Sequence, residues 1–151
     1  MDNIKNDWSY GEVCVICKAT LNDSRFVFNL RNKDYVQNIS WNTKQITIDE
    51  HESFWKKNYK FYWIIQSLTD KESIGFVRIK DGEVSIAILK EFWNQSYGYF
   101  AIQEIKKNYP NLRAEVKMDN VHSFCFFVKC GFVPSGFIMN DKLIVKGSEK
   151  E

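Results

Sequence analysis

The hydrophobic positions change period several times along the chain, and each change marks an element. GEVCVICKAT (11–20) alternates and is rich in Val and Ile, which predicts a strand. In LNDSRFVFNLRNK, Asp23 or Asn22 can cap a helix, and Phe26, Val27 and Leu30 share one helical face. A helical turn is expected near 34–38. ITIDEHESFWKKN opens a clearer helix: Thr47 is followed three residues on by Glu50, a capping box, and His51, Phe54 and Trp55 keep helical spacing. Three strands are predicted over 60–68, 72–81 and 82–90. Asp81 and Gly82 join the last two, and glycine tolerates the positive φ of a tight hairpin. A helix over 97–108 ends before Pro110, which cannot continue the hydrogen-bond ladder. NLRAEVKM (111–118) reads as a strand. DNVHSFCFFVKCG reads as a helix capped by Asp119 or Asn120 and stopped by Gly131. FVPSGFIMNDKLIVKG closes with two strands around Asn140 and Asp141.

This order predicts a mixed α/β fold with helices on both faces of a mixed sheet. The stretch from 82–90 through the helix to 111–118 reads as a parallel crossover. At 151 residues the chain is expected to form one domain over 1–151, with loose ends at 1–10 and 146–151.

Composition narrows the classes. Aromatics reach 16%, which calls for a core of large rigid pieces or a cleft for flat or apolar ligands. A net charge of +2 with scattered lysines argues against a nucleic-acid partner. The opening MDNIKNDWSYGE is polar and acidic, unlike a secretory leader, and no apolar run nears the ~20 residues of a membrane span, so a cytoplasmic protein with no membrane partner is expected. Cys14 and Cys17 form a CxxC, but three residues apart on a strand they point to opposite faces and cannot easily share a metal. Cys125 and Cys130, five apart on a helix, do not face each other well. All four are read as small buried hydrophobes, with no metal site.

The segment NQSYGYFAIQEI (94–105) poses a sharper question. A polar loop ends a strand and opens a helix, so the first helical N–H groups are unpaired and carry the positive end of the dipole. Phosphate suits such an end, and Gly98 lets a group approach the backbone. A plain strand-to-helix turn is the alternative.

IAILKEFWNQSYGYFAI resembles the acetyl-CoA-binding segment of the GNAT superfamily of N-acetyltransferases, where a strand runs into an R/Q-x-x-G-x-G/A loop and then a helix. Trp93 to Gly98 occupy the loop; Trp93 replaces Arg or Gln, and Ser96 replaces the first glycine. NVHSFCFFVKCGF (120–132) matches a second family pattern through Asn120, Ser123, Phe126, Lys129, Gly131 and Phe132. LRNKDYVQNISWNTKQITIDEHESFW resembles the start of the branch that acetylates nucleotide-linked amino sugars, with ribosomal-protein and small-amine relatives. It does so through Arg31, Asn32 and Val36, then Asp49, Glu50, His51 and Phe54.

The resemblance implies a GNAT-like fold: a central six- to seven-stranded mixed sheet with a V-shaped splay between two central parallel strands. It implies a bacterial acetyl-CoA-dependent N-acetyltransferase, monomer or homodimer, acting by direct transfer on a small-molecule amine, possibly a nucleotide-linked amino sugar. A protein N-terminal acetyltransferase and a non-catalytic CoA-binding module are the alternatives. Acetyl-CoA as co-substrate would meet Ile88, Leu89, Asn94, Gln95, Ser96, Tyr97, Gly98, Tyr99, Asn120, Ser123, Phe127 and Lys129. The Ile88 and Leu89 edge would pair with the pantetheine amides. Arg31, Asn32 and His51 would bind the acceptor. Glu83, His51 or a water chain would be the base. Phe127 stands where the family's proton-donating tyrosine stands and has no proton to give. His122 is expected on the surface.

Overall fold

The computed structural model describes residues 8–10, 14–40 and 44–141. Five strands form one sheet in the order β1-β2-β3-β4-β5: Trp8–Tyr10, Cys14–Lys18, Tyr62–Ser67, Ser73–Lys80 and Glu83–Ile88. Every pairing between them is antiparallel. The helices are α1 (Ser24–Arg31), α2 (Asp34–Gln37), α3 (Ile48–Asn58), α4 (Tyr97–Lys106) and α5 (Val121–Lys129).

The sheet separates two cores. On one face Cys14, Ile16, Trp63, Ile65, Val77 and Val84 pack with Ala101, Ile102 and Ile105 of α4 and Phe127 of α5. On the other, Cys17, Tyr62, Ile64 and Phe76 pack with Val27 and Leu30 of α1 and Trp55 of α3. β3 is central and loses alternation because both of its faces are covered. Cys14 and Cys17 do lie on opposite faces. Burial pushes the Cys14 thiol up to about 12 and the Cys130 thiol up to about 11, which keeps both protonated. Cys125 is exposed, contrary to the expectation, because it sits on the outer side of α5.

Local signals explain the boundaries. Thr47 accepts from the Glu50 amide while the Glu50 carboxylate accepts from the Thr47 amide, so the capping box starts α3. A second box, between Thr20 and Asp23, opens the turn before α1; Asp23 contributes through it, and its side chain does not cap α1 itself. Asp81 and Gly82 both have positive φ and close the β4–β5 hairpin. Between β3 and β4 the register slips: Ile65 opposes Gly75 and Gln66 opposes Ser73, leaving Ile74 as the extra residue of a bulge. Ile74 and Val77, three apart, therefore face the same core.

Several expected strands differ. Among the described residues the sheet has five antiparallel strands, not six or seven mixed ones, and no pair of central parallel strands flanks a V-shaped splay. The segment 111–118 runs parallel to β5, as a crossover requires, but meets it at one bridge, Glu83 with Arg113. There the Val84 amide donates to the Arg113 carbonyl, and the Arg113 amide to the Gly82 carbonyl. Leu112, Ala114 and Val116 pack on the first core, so the alternation fixed which side chains turn inward without building a ladder. Residues 132–139 form no strand. Val133, Phe137 and Met139 are exposed, and Pro134 has no N–H to offer a neighbour. The rest of the expected last strand, the expected loose end at 146–151, and residues 1–7 of the other end lie outside the described residues. Residues 8–10 of that end pair with β2. Among the described residues no helix is long and apolar enough to cross a membrane, and no group of three or more His, Cys, Asp or Glu could hold a metal ion.

Candidate active site

β5 is the last strand of the sheet, and its phase decides which backbone groups are free. The Leu89 amide donates to the Ile74 carbonyl on β4, whereas the Val84 amide points the other way, to Arg113. Hydrogen-bonding direction alternates along an antiparallel strand, so Ile86 and Ile88 turn their N–H and C=O groups to the open edge. Leu89 does not; its amide is committed to β4. Past Val84 no other backbone segment among the described residues donates to this edge.

A short turn, Lys90–Phe92, carries the chain off β5 into the loop. Asn94 and Ser96 both adopt the left-handed conformation, with φ of 61° and 71°. Ser96 is the N-cap of α4, but its side chain makes no capping bond. From Asn94 to Tyr99 no backbone amide donates a hydrogen bond among the described residues; the first to do so is Phe100, to the Ser96 carbonyl. Asn94, Gln95 and Ser96 are exposed, and the Gln95 side chain turns back to donate from Nε2 to the Glu91 carbonyl. Six free donors at the start of a ten-residue helix concentrate positive potential at one spot. From α5, Lys129 brings its ammonium 5.9 Å from the Tyr99 ring, in the first turn of α4. Phosphate oxygens fit this donor set by charge and by hydrogen-bond sense.

Gly98 has a packing reason. A Cβ there would lie 3.0 Å from Phe126 Cε1 and 3.2 Å from Ile88 Cδ1, so the bare backbone lets β5, α4 and α5 meet. Asn120 and Ser123 serve the helix: the Ser123 amide donates to Asn120 Oδ1, and Asn120 Nδ2 donates to Ser123 Oγ. That pair fixes the start of α5 and thereby the position of Lys129.

The three catalytic candidates are not brought together. His51 is fully buried on the α1–α3 side, its Nε2 3.0 Å from the Ser24 carbonyl and its ring stacked on Trp55 at 5.7 Å. Its Nδ1 has no partner. Burial first, and then the Arg31 charge, lowers its pKa and keeps the ring neutral. Phe127 lies on the opposite face, packed against Phe126 at 5.2 Å and Phe132 at 5.1 Å. Glu83 is half-buried beside the hairpin, at the bridge to Arg113. Of the acceptor candidates, Arg31 lies 5.1 Å over the Phe54 ring, and Asn32 is held by Gln37 and the Ile46 carbonyl. Both belong to the His51 side.

Three residues by the loop make contacts that the sequence did not announce. Trp93, noticed there only as a departure from a motif, donates from Nε1 to the Ile88 carbonyl at 2.8 Å. Tyr35 of α2 sets its ring edge-on to Trp93 at 5.3 Å and accepts from the Lys90 amide at 3.1 Å. His122, exposed as expected, stacks on Trp93 at 5.4 Å. The high aromatic content signals such rings without saying which of them meet.

A family model described as an acetyltransferase (GNAT) domain matches residues 15–133. No curated protein sequence matches the chain. Among solved structures, spermidine N-acetyltransferase from Vibrio cholerae, in complex with CoA and spermine, superposes with a TM-score of 0.73 at 18% identity, covering 92% of this chain and 88% of that one. A GNAT-family acetyltransferase from Bacillus anthracis gives 0.72 at 16%, covering 85% of each chain. The microcin C7 self-immunity acetyltransferase MccE, in complex with acetyl-CoA and AMP, gives 0.69 at 15%, covering 91% and 87%. At such identities the likeness carries the fold.

Proposed function

The chain belongs to the GNAT acetyltransferase family and is an acetyl-CoA-dependent N-acetyltransferase; from that premise we propose that its acceptor is a small primary amine, acetylated by direct transfer at the open edge of β5. The observation that carries this reading is the run of unpaired amides from Asn94 to Tyr99. They receive the diphosphate, with Lys129 adding charge. The pantetheine arm then runs along the outward groups of Ile86 and Ile88. The amine nitrogen attacks the thioester carbon, the C–S bond breaks, and the electron pair leaves on sulfur. The extra proton on the nitrogen of the tetrahedral adduct passes to a base, leaving a neutral amide.

Of the ionisable candidates, Glu83 suits the base role better. It stands where β5 and the 111–118 segment part and can act through water, whereas His51 is walled in by Phe28, Phe54 and Trp55. His51, Arg31 and Asn32 shape the acceptor side by holding α1 to α3. Phe127 supplies no proton, so the thiolate leaves as such. With an ordinary thiol pKa of about 8.5, that is tolerable near neutral pH. The resemblance of 30–55 to the amino-sugar branch supports a nucleotide-linked amino sugar as acceptor.

The test is calorimetry with acetyl-CoA, followed by thiol release over nucleotide-linked amino sugars, polyamines and peptide N-termini. Binding with release on an amino sugar is expected. Release on peptides alone overturns the acceptor, and absence of acetyl-CoA binding overturns the whole reading.

A further inference from the structure

We infer that Trp93 is a plug on the cofactor's own seat: its indole occupies the β5 edge that the pantetheine arm takes, and arrival of the arm displaces it. The inference rests on the acetyl-CoA reading above.

Ile88 is one of two residues whose backbone faces the open edge, and its carbonyl is the one already engaged, by Trp93 Nε1. The ring is held from three elements at once. β5 supplies the hydrogen bond, Tyr35 of α2 an edge-on contact at 89°, and His122 of α5 a stack at 27°. Trp93 also immediately precedes the six free amides, so a diphosphate gripped there delivers the arm onto this ring. A pantetheine N–H can replace the indole N–H at the Ile88 carbonyl, one hydrogen bond for another. Until then the Ile88 carbonyl is satisfied, which suits a strand end that would otherwise expose it unpaired. A ligand that stops at the diphosphate has no need to move the ring. Trp93 therefore sets a cost that only arm-bearing ligands meet.

Two ligands separate the possibilities: CoA, and adenosine 3′-phosphate 5′-diphosphate, which lacks the arm. In the unaltered protein CoA changes tryptophan emission and the armless nucleotide does not. In Trp93→Phe, which keeps a ring but loses the donor, the CoA-induced change disappears. By calorimetry CoA binds that variant roughly two- to tenfold more tightly, the worth of one released hydrogen bond, and the armless nucleotide binds unchanged. An emission response that persists in Trp93→Phe, or equal effects of the substitution on both ligands, overturns the plug while leaving the acetyl-CoA reading standing. Failure of both ligands to bind the unaltered protein overturns that reading and the plug with it. The comparison of ligands on the unaltered protein needs no variant to fold.

Discussion

Gly75 on β4 faces the Ala87 carbonyl of β5 so closely that a Cβ at position 75 would lie 2.5 Å from the oxygen and 2.9 Å from Ile88 Cγ1. The obstacle is backbone, which cannot rotate aside. Gly75 stands opposite Ile88 in the β4–β5 ladder, and Ile88 is one of the two residues whose outward groups form the candidate cofactor edge. Gly75→Ala must push β5 away from β4. The expected cost is ~1–3 kcal/mol, the usual range for overpacking, read from urea unfolding. Acetyl-CoA affinity falls with it, because the edge moves. Unchanged stability would mean that β4 and β5 are less closely apposed than this contact requires.

Buried His51 predicts a pH dependence with a definite sign. Its folded pKa lies below the ordinary 6.5, from burial and from Arg31, while the bond to the Ser24 carbonyl and the Glu52 charge pull weakly the other way. The unfolded chain therefore takes up a proton first as pH falls. Stability from the neutral ring is fully present above about pH 6.5 and declines below it, by at most ~1.4 kcal/mol per pH unit for one proton. Urea midpoints between pH 7.5 and 5 should show the decline, and His51→Phe should flatten it. A profile that keeps its slope in that variant would assign the titration to other groups.

These two cases also mark what the sequence could reveal. His51 was legible as a helix residue from the Thr47–Glu50 box and its spacing to Phe54 and Trp55. The hairpin was legible from Asp81 and Gly82, and the opposed faces of Cys14 and Cys17 from strand period. Each is a short-range signal, complete within a few residues. The β5 phase follows from the same hairpin, which pairs Lys80 with Glu83, but the slip at Ile74 between β3 and β4 does not, and no local pattern announces a bulge. Trp93 meets Tyr35 across 58 residues of chain, and Lys129 meets Tyr99 across 30, so neither contact has a period to read. The strand expected at 111–118 failed for a related reason: alternation sets which side chains turn inward, but not whether a neighbouring edge offers a ladder.

Lys129 is the one cation that the second helical motif sends to the start of α4. Lys129→Gln should weaken acetyl-CoA binding about two- to fivefold, the scale of an exposed charge interaction. It should also make binding less sensitive to salt between low and physiological ionic strength, since one screened attraction is gone. Calorimetry at two salt concentrations reads both. Stability should stay within about 0.5 kcal/mol, because the side chain is exposed. An unchanged affinity would remove Lys129 from the anion site and leave the backbone amides to hold it alone.

Phe127 carries the sharpest test of the chemistry. Its ring is buried in the first core between Phe126 and Phe132, while the family resemblance puts a proton-donating tyrosine at this position. Phe127→Tyr adds a hydroxyl among aromatic rings. Without a partner, a buried hydroxyl costs ~1–3 kcal/mol, so the free variant should unfold at lower urea. If the thioester sulfur reaches this ring, the sulfur becomes that partner. Acetyl-CoA should then raise the melting temperature of the variant more than that of the parent, and kcat should rise, since a general acid commonly contributes 10²–10⁴. The two readouts are independent: a merely structural position would show the lost stability without the extra shift on binding. Equal thermal shifts and equal kcat would place the ring away from the sulfur and leave the departure of an unprotonated thiolate as this enzyme's way of completing transfer.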